Sequence, residues 1–183
     1  HPDGITIEQL EVLSTTRMTV RLHPEAKKRI EVGQAFLQSR LNENHVDYGI
    51  NTGFGLLSQV QVAKSDLAQL QLNIIRSHAV GVGESIGDGE VRVMLALRAH
   101  TLCKGHSGVQ VSTVEQLIRF LNLGIIPEVP AQGSVGASGD LAPLSHLALP
   151  LVGEGRVRFF GSKEGSKGAI SGRAALRKKG IKP

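Results

Sequence analysis

The sequence of 183 residues is poor in cysteine and in aromatic side chains, with 1 Cys, 1 Tyr, 5 Phe and no Trp. A single cysteine excludes an internal disulfide framework and a four-cysteine zinc site, and it favours a reducing compartment. No apolar run approaches the roughly 18 residues of a membrane span, and we expect no signal peptide in the first residues. The sequence therefore predicts a globular, cytoplasmic protein with no membrane partner.

The positive charge of the chain is concentrated at its C-terminal end. Residues 156–183 contain nine Lys and Arg and one acidic residue, so this tail carries +8, whereas the other 155 residues carry −3. Nucleic-acid-binding proteins spread basic residues over a docking face and interleave aromatic side chains for stacking. The tail has only Phe159 and Phe160 as aromatics. We therefore expect no nucleic-acid partner.

Helical patterns dominate the sequence, and most of the predicted helices have a start or stop residue. We predict helices from Thr6 through Leu13, from Pro24 to about Leu41, from Ser65 to His78, from Asp88 to Gly105, from Val111 to Gly124 and from Leu141 to Leu151. No regular alternation of strand and helix is present, which disfavours a doubly wound parallel sheet. The predicted fold class is mainly α.

Two regions differ in composition. Residues 1–155 hold the helical patterns and predict one helical domain. In residues 156–183, Arg156–Phe160 predicts a short strand, and the Gly-, Ser- and Lys-rich remainder predicts a mobile tail or weak helix with little core material. The chain ends without a finishing element, so we expect a truncated chain.

The most unusual segment is glycine-rich and covers residues 133–143 (GSVGASGDLAP). It has three possible interpretations: a flexible loop that leads to a helix opened by Asp140, an anion site at that helix N-terminus, or a self-modifying loop. A Walker-type phosphate loop is excluded because no Lys-Ser/Thr pair follows the last glycine. A nucleophile elbow is excluded because Asp140 stands two residues after Ser138, where glycine is required.

The self-modifying interpretation depends on the tripeptide Ala137-Ser138-Gly139. In a tight bend, the backbone nitrogen of Gly139 reaches the carbonyl carbon of Ala137 and closes a five-membered ring, since glycine leaves this nitrogen unhindered. Loss of one water from the ring and a second from the Ser138 side chain gives a methylidene-imidazolone. The former Cβ of Ser138 then becomes a strong electrophile.

Two ordered motifs resemble those of the aromatic amino acid ammonia-lyases: residues 133–144, and residues 48–55 (YGINTGFG). Weaker similarity covers residues 73–78 and 104–108, and within the family the chain is most similar to the histidine-specific branch. The resemblance implies the N-terminal, prosthetic-group-bearing domain of the fumarase/aspartase-like ammonia-lyase fold, with the long helical bundle missing. It also implies a homotetramer whose active sites combine several subunits, with a companion C-terminal fragment as a further candidate partner.

The same resemblance implies roles for individual residues. Ala137, Ser138 and Gly139 stand where the family forms its 4-methylidene-imidazol-5-one (MIO) group, and Asp140 stands where an acid assists cyclisation. Tyr48 stands at the position of the catalytic base, and His78 stands at a substrate-pocket position. A tyrosine accepts the β-proton of a substrate only where its surroundings favour the phenolate.

The function implied by the resemblance is non-oxidative elimination of ammonia from L-histidine to give urocanate. Addition of the substrate amine to a protein electrophile makes the amine a better leaving group. A tyrosine or phenylalanine ammonia-lyase or aminomutase of the same family stays an alternative, as does a non-catalytic helical fragment that associates with sister subunits. The chain alone is expected to be inactive, because the family's other pocket groups lie beyond its end.

Two weaker patterns predict no cofactor. His100, Cys103 and His106 recur every third residue, but this spacing drifts around a helix and a fourth ligand is missing, so we expect no metal site. Gly81 and Gly83 resemble the start of a dinucleotide fingerprint, but Ile86 stands at the third glycine position. We therefore expect no nucleotide cofactor.

Overall fold

The computed structural model describes residues 3–43, 45–136, 139–162 and 168–182, and helices form most of its secondary structure. The α-helices among these residues are α1 (Ile7–Thr15), α2 (Pro24–Asn42), α3 (Leu67–His78), α4 (Asp88–Leu102), α5 (Val111–Leu123), α6 (Leu141–Ala148) and α7 (Gly172–Lys178). Short 3₁₀ helices cover Gly55–Leu57, Lys64–Asp66 and Leu149–Val152. None of these described helices is both long and apolar enough to cross a bilayer. The predicted mainly α fold class is confirmed.

Three helix ends lie where their residue types predict them. At the start of α1, Thr6 Oγ1 accepts a hydrogen bond from the Gln9 N–H at 3.3 Å, and Gln9 Oε1 accepts one from the Thr6 N–H at 3.0 Å. This reciprocal pair is a capping box. Pro24 is the first residue of α2, where its missing N–H costs nothing. Gly124 ends α5 with φ of +65°, a left-handed conformation that favours glycine.

The strands in the described ranges are short and antiparallel, and they form two small sheets. β1 (Val82–Ser85) pairs with β3 (Pro130–Gln132). In the second sheet, β4 (Arg156–Phe159) lies between β2 (Ile125–Pro127) and β5 (Ile170–Ser171). The sequence predicts β4 and none of the other strands, and β2, β3 and β5 have only two or three residues, too few to show an alternating pattern.

The core lies where α4 packs against α5, and the second sheet and α7 cover it. It is built from aliphatic side chains around one buried phenylalanine. Fully buried members include Val91, Leu95, Val114, Phe120, Leu121, Ile125, Ile126 and Val157. Burial of these side chains supplies most of the favourable free energy of folding.

Residues 168–182 contribute to this core, so the expectation of a tail with little core material is wrong there. Three of their side chains are 0–5% exposed: Ala175, Leu176 and Ile181. The basic residues around them dominate the local sequence pattern and obscure the buried positions. Residues 163–167 and Pro183 lie outside the described residues, and the domain division after residue 155 stays a prediction.

Arg92, on α4, is fully buried, and within the described part of the chain no carboxylate pairs with it. Its guanidinium instead donates to three backbone carbonyls, those of Leu13 (2.7 Å), Thr16 (3.0 Å) and Leu121 (3.2 Å). These carbonyls lie at the C-terminal ends of α1 and α5, which carry partial negative charge. The Phe160 ring lies 4.3 Å from Arg92 Cζ. Burial lowers the pKa of the guanidinium, and the helix ends compensate for its charge.

We expect Arg92→Met to lower the free energy of unfolding by about 3 kcal/mol, because three carbonyls lose their donor at a buried position. Urea-induced unfolding followed by circular dichroism measures this change. The control is Arg119→Met on the exposed face of α5, which should change stability by less than about 0.5 kcal/mol. Equal stability of the two variants would show that the three hydrogen bonds of Arg92 do not stabilise the fold.

Candidate active site

The glycine-rich loop, residues 133–140, connects β3 to α6. Gly136 O accepts a hydrogen bond from the Gly139 N–H at 3.0 Å, so the two residues meet in a tight turn. Gly139 has φ of +84°, and a Cβ there would meet no other atom within 4 Å. Ala137 and Ser138, the other predicted ring-forming residues, lie outside the described residues.

Asp140 closes the base of this loop. Its Oδ1 accepts a hydrogen bond from Ser134 Oγ at 2.6 Å. Asp140 precedes α6, as the sequence predicts, but its side chain makes no capping hydrogen bond to the helix. The carboxylate therefore holds the loop rather than the helix N-terminus, which corrects the expectation of a side-chain cap.

Tyr48 lies in the turn that follows α2, and its neighbours anchor this turn. The Arg40 guanidinium binds the Asp47 carboxylate with N–O distances of 2.8 to 3.1 Å, and these bonds lower the pKa of Asp47. The buried Asn51 side chain accepts from the Asp47 N–H at 2.8 Å and donates to His45 O at 2.7 Å. The backbone is thus fixed on both sides of Tyr48.

An aromatic row connects Tyr48 with His78. The Tyr48 and Phe54 ring centroids are 5.3 Å apart, and those of Phe54 and His78 are 6.0 Å apart. Both contacts are edge-to-face, the arrangement that the ring quadrupoles favour. Tyr48 is 62% exposed, and among the described residues its hydroxyl accepts one long contact, of 3.5 Å from the Gly55 N–H. Two predicted site residues therefore meet through Phe54.

His78 is the last residue of α3, as the sequence predicts. Its Nδ1 lies 2.8 Å from Ile74 O and 3.1 Å from Ser77 Oγ. A carbonyl only accepts, so Nδ1 carries the hydrogen and Nε2 of the neutral ring is an acceptor. Gln71, also on α3, donates to the carbonyls of Gly49 and Ile50 at 3.2 and 3.3 Å and ties the helix to the Tyr48 turn.

The pairing of β1 with β3 brings the end of α3 beside the glycine-rich loop. Val82 pairs with Gln132, so the segment after His78 lies against Gly133. Three of the predicted elements, the Tyr48 turn, His78 and the base of the loop, are thus joined by direct contacts or by one strand pair.

A surface groove of about 1220 Å³ lies elsewhere, between α2 and residues 104–108. Tyr48 contributes to its lining, whereas His78 and the described loop residues do not.

In the part of the chain that the structure describes, no three His, Cys, Asp or Glu side chains are grouped to hold a metal ion. Burial lowers the pKa of His100 and raises that of Cys103.

A family model, described as aromatic amino acid lyase, matches residues 5–183. The chain belongs to the aromatic amino acid lyase family. This membership confirms the resemblance seen in the two sequence motifs.

Several proteins of this family are similar to nearly the whole chain. Histidine ammonia-lyase of Macrococcus caseolyticus (strain JCSC5402) is 48% identical over 88% of this chain and 32% of its own length. The crystal structure of histidine ammonia-lyase from Trypanosoma cruzi has a TM-score of 0.86 and 38% identity, covering 98% of this chain and 33% of that one. Tyrosine aminomutase from Streptomyces globisporus has a TM-score of 0.89 and 35% identity, covering 100% and 33%. The chain spans about a third of the length of these lyase-family relatives.

Sequence reasoning missed the residues that support the predicted site of this lyase-family chain. Phe54 and Asn51 lie inside the motif of residues 48–55, but neither stood out as a contact. Ser134 lies within the glycine-rich loop and donates to Asp140, and His146 on α6 accepts a hydrogen bond from the Gly81 N–H. Only Asn51 offers a signal in the sequence, since an amide within a glycine-rich motif is a common turn-stabilising residue.

We expect Asn51→Ala to loosen the Tyr48 turn and to lower the free energy of unfolding by about 2 kcal/mol, because two buried hydrogen bonds are lost. Hydrogen exchange of residues 45–53 should become faster. The control is Asn122→Ala, since Asn122 makes a similar pair of bonds to the Val20 backbone at 2.8 and 2.9 Å. If both variants accelerate exchange in residues 45–53 equally, Asn51 is not the anchor of this turn.

Proposed function

We propose that this chain is the N-terminal part of a histidine ammonia-lyase, which eliminates ammonia from L-histidine to give urocanate. The observation that carries the proposal is the 48% identity to a histidine ammonia-lyase over 88% of the chain. His78 at the end of α3, with an acceptor at Nε2, suits a substrate that carries N–H groups. The chain alone is proposed to be inactive, because it spans about a third of such relatives.

The glycine-rich loop fits the MIO group. Gly139 has no Cβ to hinder its backbone nitrogen, and this nitrogen lies in a tight turn, 3.0 Å from Gly136 O. We propose that this nitrogen bonds to the carbonyl carbon of Ala137 with loss of one water, and that Ser138 loses a second water from its side chain. Asp140, held by Ser134, is positioned at the base of the loop to move a proton during these steps. The finished group supplies an electrophile that activates the substrate amine as a leaving group.

We propose that Tyr48 takes the β-proton of the substrate and that His78 orients the substrate. Phe54 contacts both rings, so it holds the base and the orienting side chain in one arrangement. The anchors on either side of Tyr48 reduce the entropy that would be lost on fixing the phenol beside a substrate.

A tyrosine aminomutase is the second candidate. The structure of Streptomyces globisporus tyrosine aminomutase has a TM-score of 0.89 against this chain, close to that of the histidine ammonia-lyase structure at 0.86. Comparison of histidine with tyrosine as substrate of the full-length protein, with product analysis by chromatography, separates the two. Formation of β-tyrosine without urocanate would replace the histidine proposal.

We further propose a cytoplasmic homo-oligomer. Cys103, the one cysteine of the chain, is free and buried, in keeping with a reducing compartment. Several apolar side chains near Tyr48 are more than half exposed: Leu56, Leu57 and Val60. Exposed apolar clusters are typical of surfaces that meet another chain.

Ring formation has a mass signature. The full-length protein should be lighter than its encoded mass by two waters, about 36 Da. Ser138→Ala should lack the electrophile and release no ammonia, with the circular dichroism spectrum unchanged. Ser112→Ala on the exposed face of α5 is the comparison variant, since it removes a serine hydroxyl outside the loop and should keep the ring. An active protein whose measured mass equals the mass calculated from its sequence would overturn the proposed chemistry.

Tyr48→Phe tests the base. The variant keeps the ring contact with Phe54 and removes only the hydroxyl, so we expect kcat to fall by about 10²- to 10⁴-fold, the usual contribution of general acid–base catalysis. Steady-state assays of ammonia release measure it, with ring content checked by mass. An unchanged kcat in a variant with full ring content would exclude Tyr48 as the base.

A further inference from the structure

A single imidazole bridges the segment that follows His78 and the helix that follows the glycine-rich loop. His146 lies on α6, and its Nε2 accepts a hydrogen bond from the Gly81 N–H at 3.0 Å. Gly81 stands between His78, the last residue of α3, and β1. The bond therefore joins two elements that the sequence separates by 65 positions.

The backbone segments at this point lie so close together that a side chain on either glycine would force its neighbours to shift. A Cβ on Gly81 would lie 3.1 Å from His146 Nε2 and 3.2 Å from Pro130 Cβ. A Cβ on Gly133, the first residue of the loop, would lie 3.1 Å from Gly81 Cα and 3.1 Å from Ala142 Cβ. The segment after α3, the start of the loop and the start of α6 thus meet at one tightly packed junction.

The imidazole must be neutral to make this bond. A backbone N–H only donates, so Nε2 carries no hydrogen and Nδ1 carries it. The ring is half-buried, and burial lowers the pKa of His146, which favours the neutral form. His146 is therefore suited to hold Gly81 throughout the neutral pH range.

The other polar contacts around the site do not make this connection. Ser134 and Asp140 join the loop to itself. Arg76, near the end of α3, pairs with Glu154, which precedes β4 rather than the loop. The hydrogen bond from Gly81 to His146 thus ties the segment after His78 to α6, the helix that follows the loop.

We propose that His146 is a positioning residue that sets the placement of His78 relative to the ring-forming loop, by holding Gly81 against Gly133. The inference rests on the proposed function, because it assigns His78 to the substrate and the loop to the prosthetic group. His146 itself touches neither.

The test compares His146→Leu, His146→Gln and His146→Asn in the full-length protein. Glutamine ends in an oxygen close to the position of Nε2, whereas asparagine ends near Nδ1 and leucine has no acceptor. We expect His146→Leu and His146→Asn to accelerate exchange of the Gly81 amide and of residues 133–136 about tenfold, and to lower the fraction of ring-bearing protein several-fold. His146→Gln should keep the exchange rates and the ring content close to those of the unchanged protein.

The matched control is the pair His100→Leu and His100→Gln, since the pKa of His100 is also lowered by burial but the residue lies on α4. Neither variant should change the two readouts. If His146→Leu does not fold, the comparison of His146→Gln with His146→Asn decides. Equal behaviour of these two, or loosening at Gly81 without a change in residues 133–136, would overturn the positioning role. A wild-type protein without the ring refutes the proposed function, and exchange then decides the role of His146 by itself.

Discussion

The geometry of the candidate site depends on the close approach of Gly81 to Gly133. A side chain on either residue would meet the other segment or His146 at distances shorter than most packing contacts. Gly81 follows the end of α3 by three residues and Gly133 is the first residue of the loop, so this contact sets how closely the two segments approach. The β1–β3 pair continues the contact along the chain, with Val82 opposite Gln132 and Ser85 opposite Pro130. Positioning at a site of this kind comes from rigid backbone contacts rather than from the reacting side chains.

The frame around this junction places buried positive charges where backbone or carboxylate groups can compensate them. Arg92 donates to carbonyls in the last turns of α1 and α5, so no acidic residue needs to be buried beside it. Arg158, 5% exposed on β4, instead binds Asp88 at the start of α4 and the carbonyl of Ile86. Both arrangements link elements that are distant in sequence. A buried charge without such partners would cost several kcal/mol.

The helix ends and the motif residues could be predicted because their causes are local. The capping box of Thr6, the proline of α2 and the left-handed Gly124 each act within a few residues. The short strands β1, β2, β3 and β5 could not, because their stability comes from partners far along the chain. The same holds for the buried positions of α7, where basic neighbours obscure the apolar residues. Even within a motif, the partner of a side chain could not always be predicted. The position of Asp140 suits a helix cap, but its carboxylate binds Ser134.

For the candidate site, residue types and spacing sufficed to single out Tyr48, His78 and the loop of residues 133–140, because the family motifs are long and chemically unusual. The distances between these residues could be read only from the tertiary structure. The Phe54 ring between Tyr48 and His78, and the imidazole of His146 on Gly81, are contacts between segments 24 to 65 positions apart. Local sequence carries conformational preferences and chemical groups, whereas distances between remote groups arise only when the chain packs.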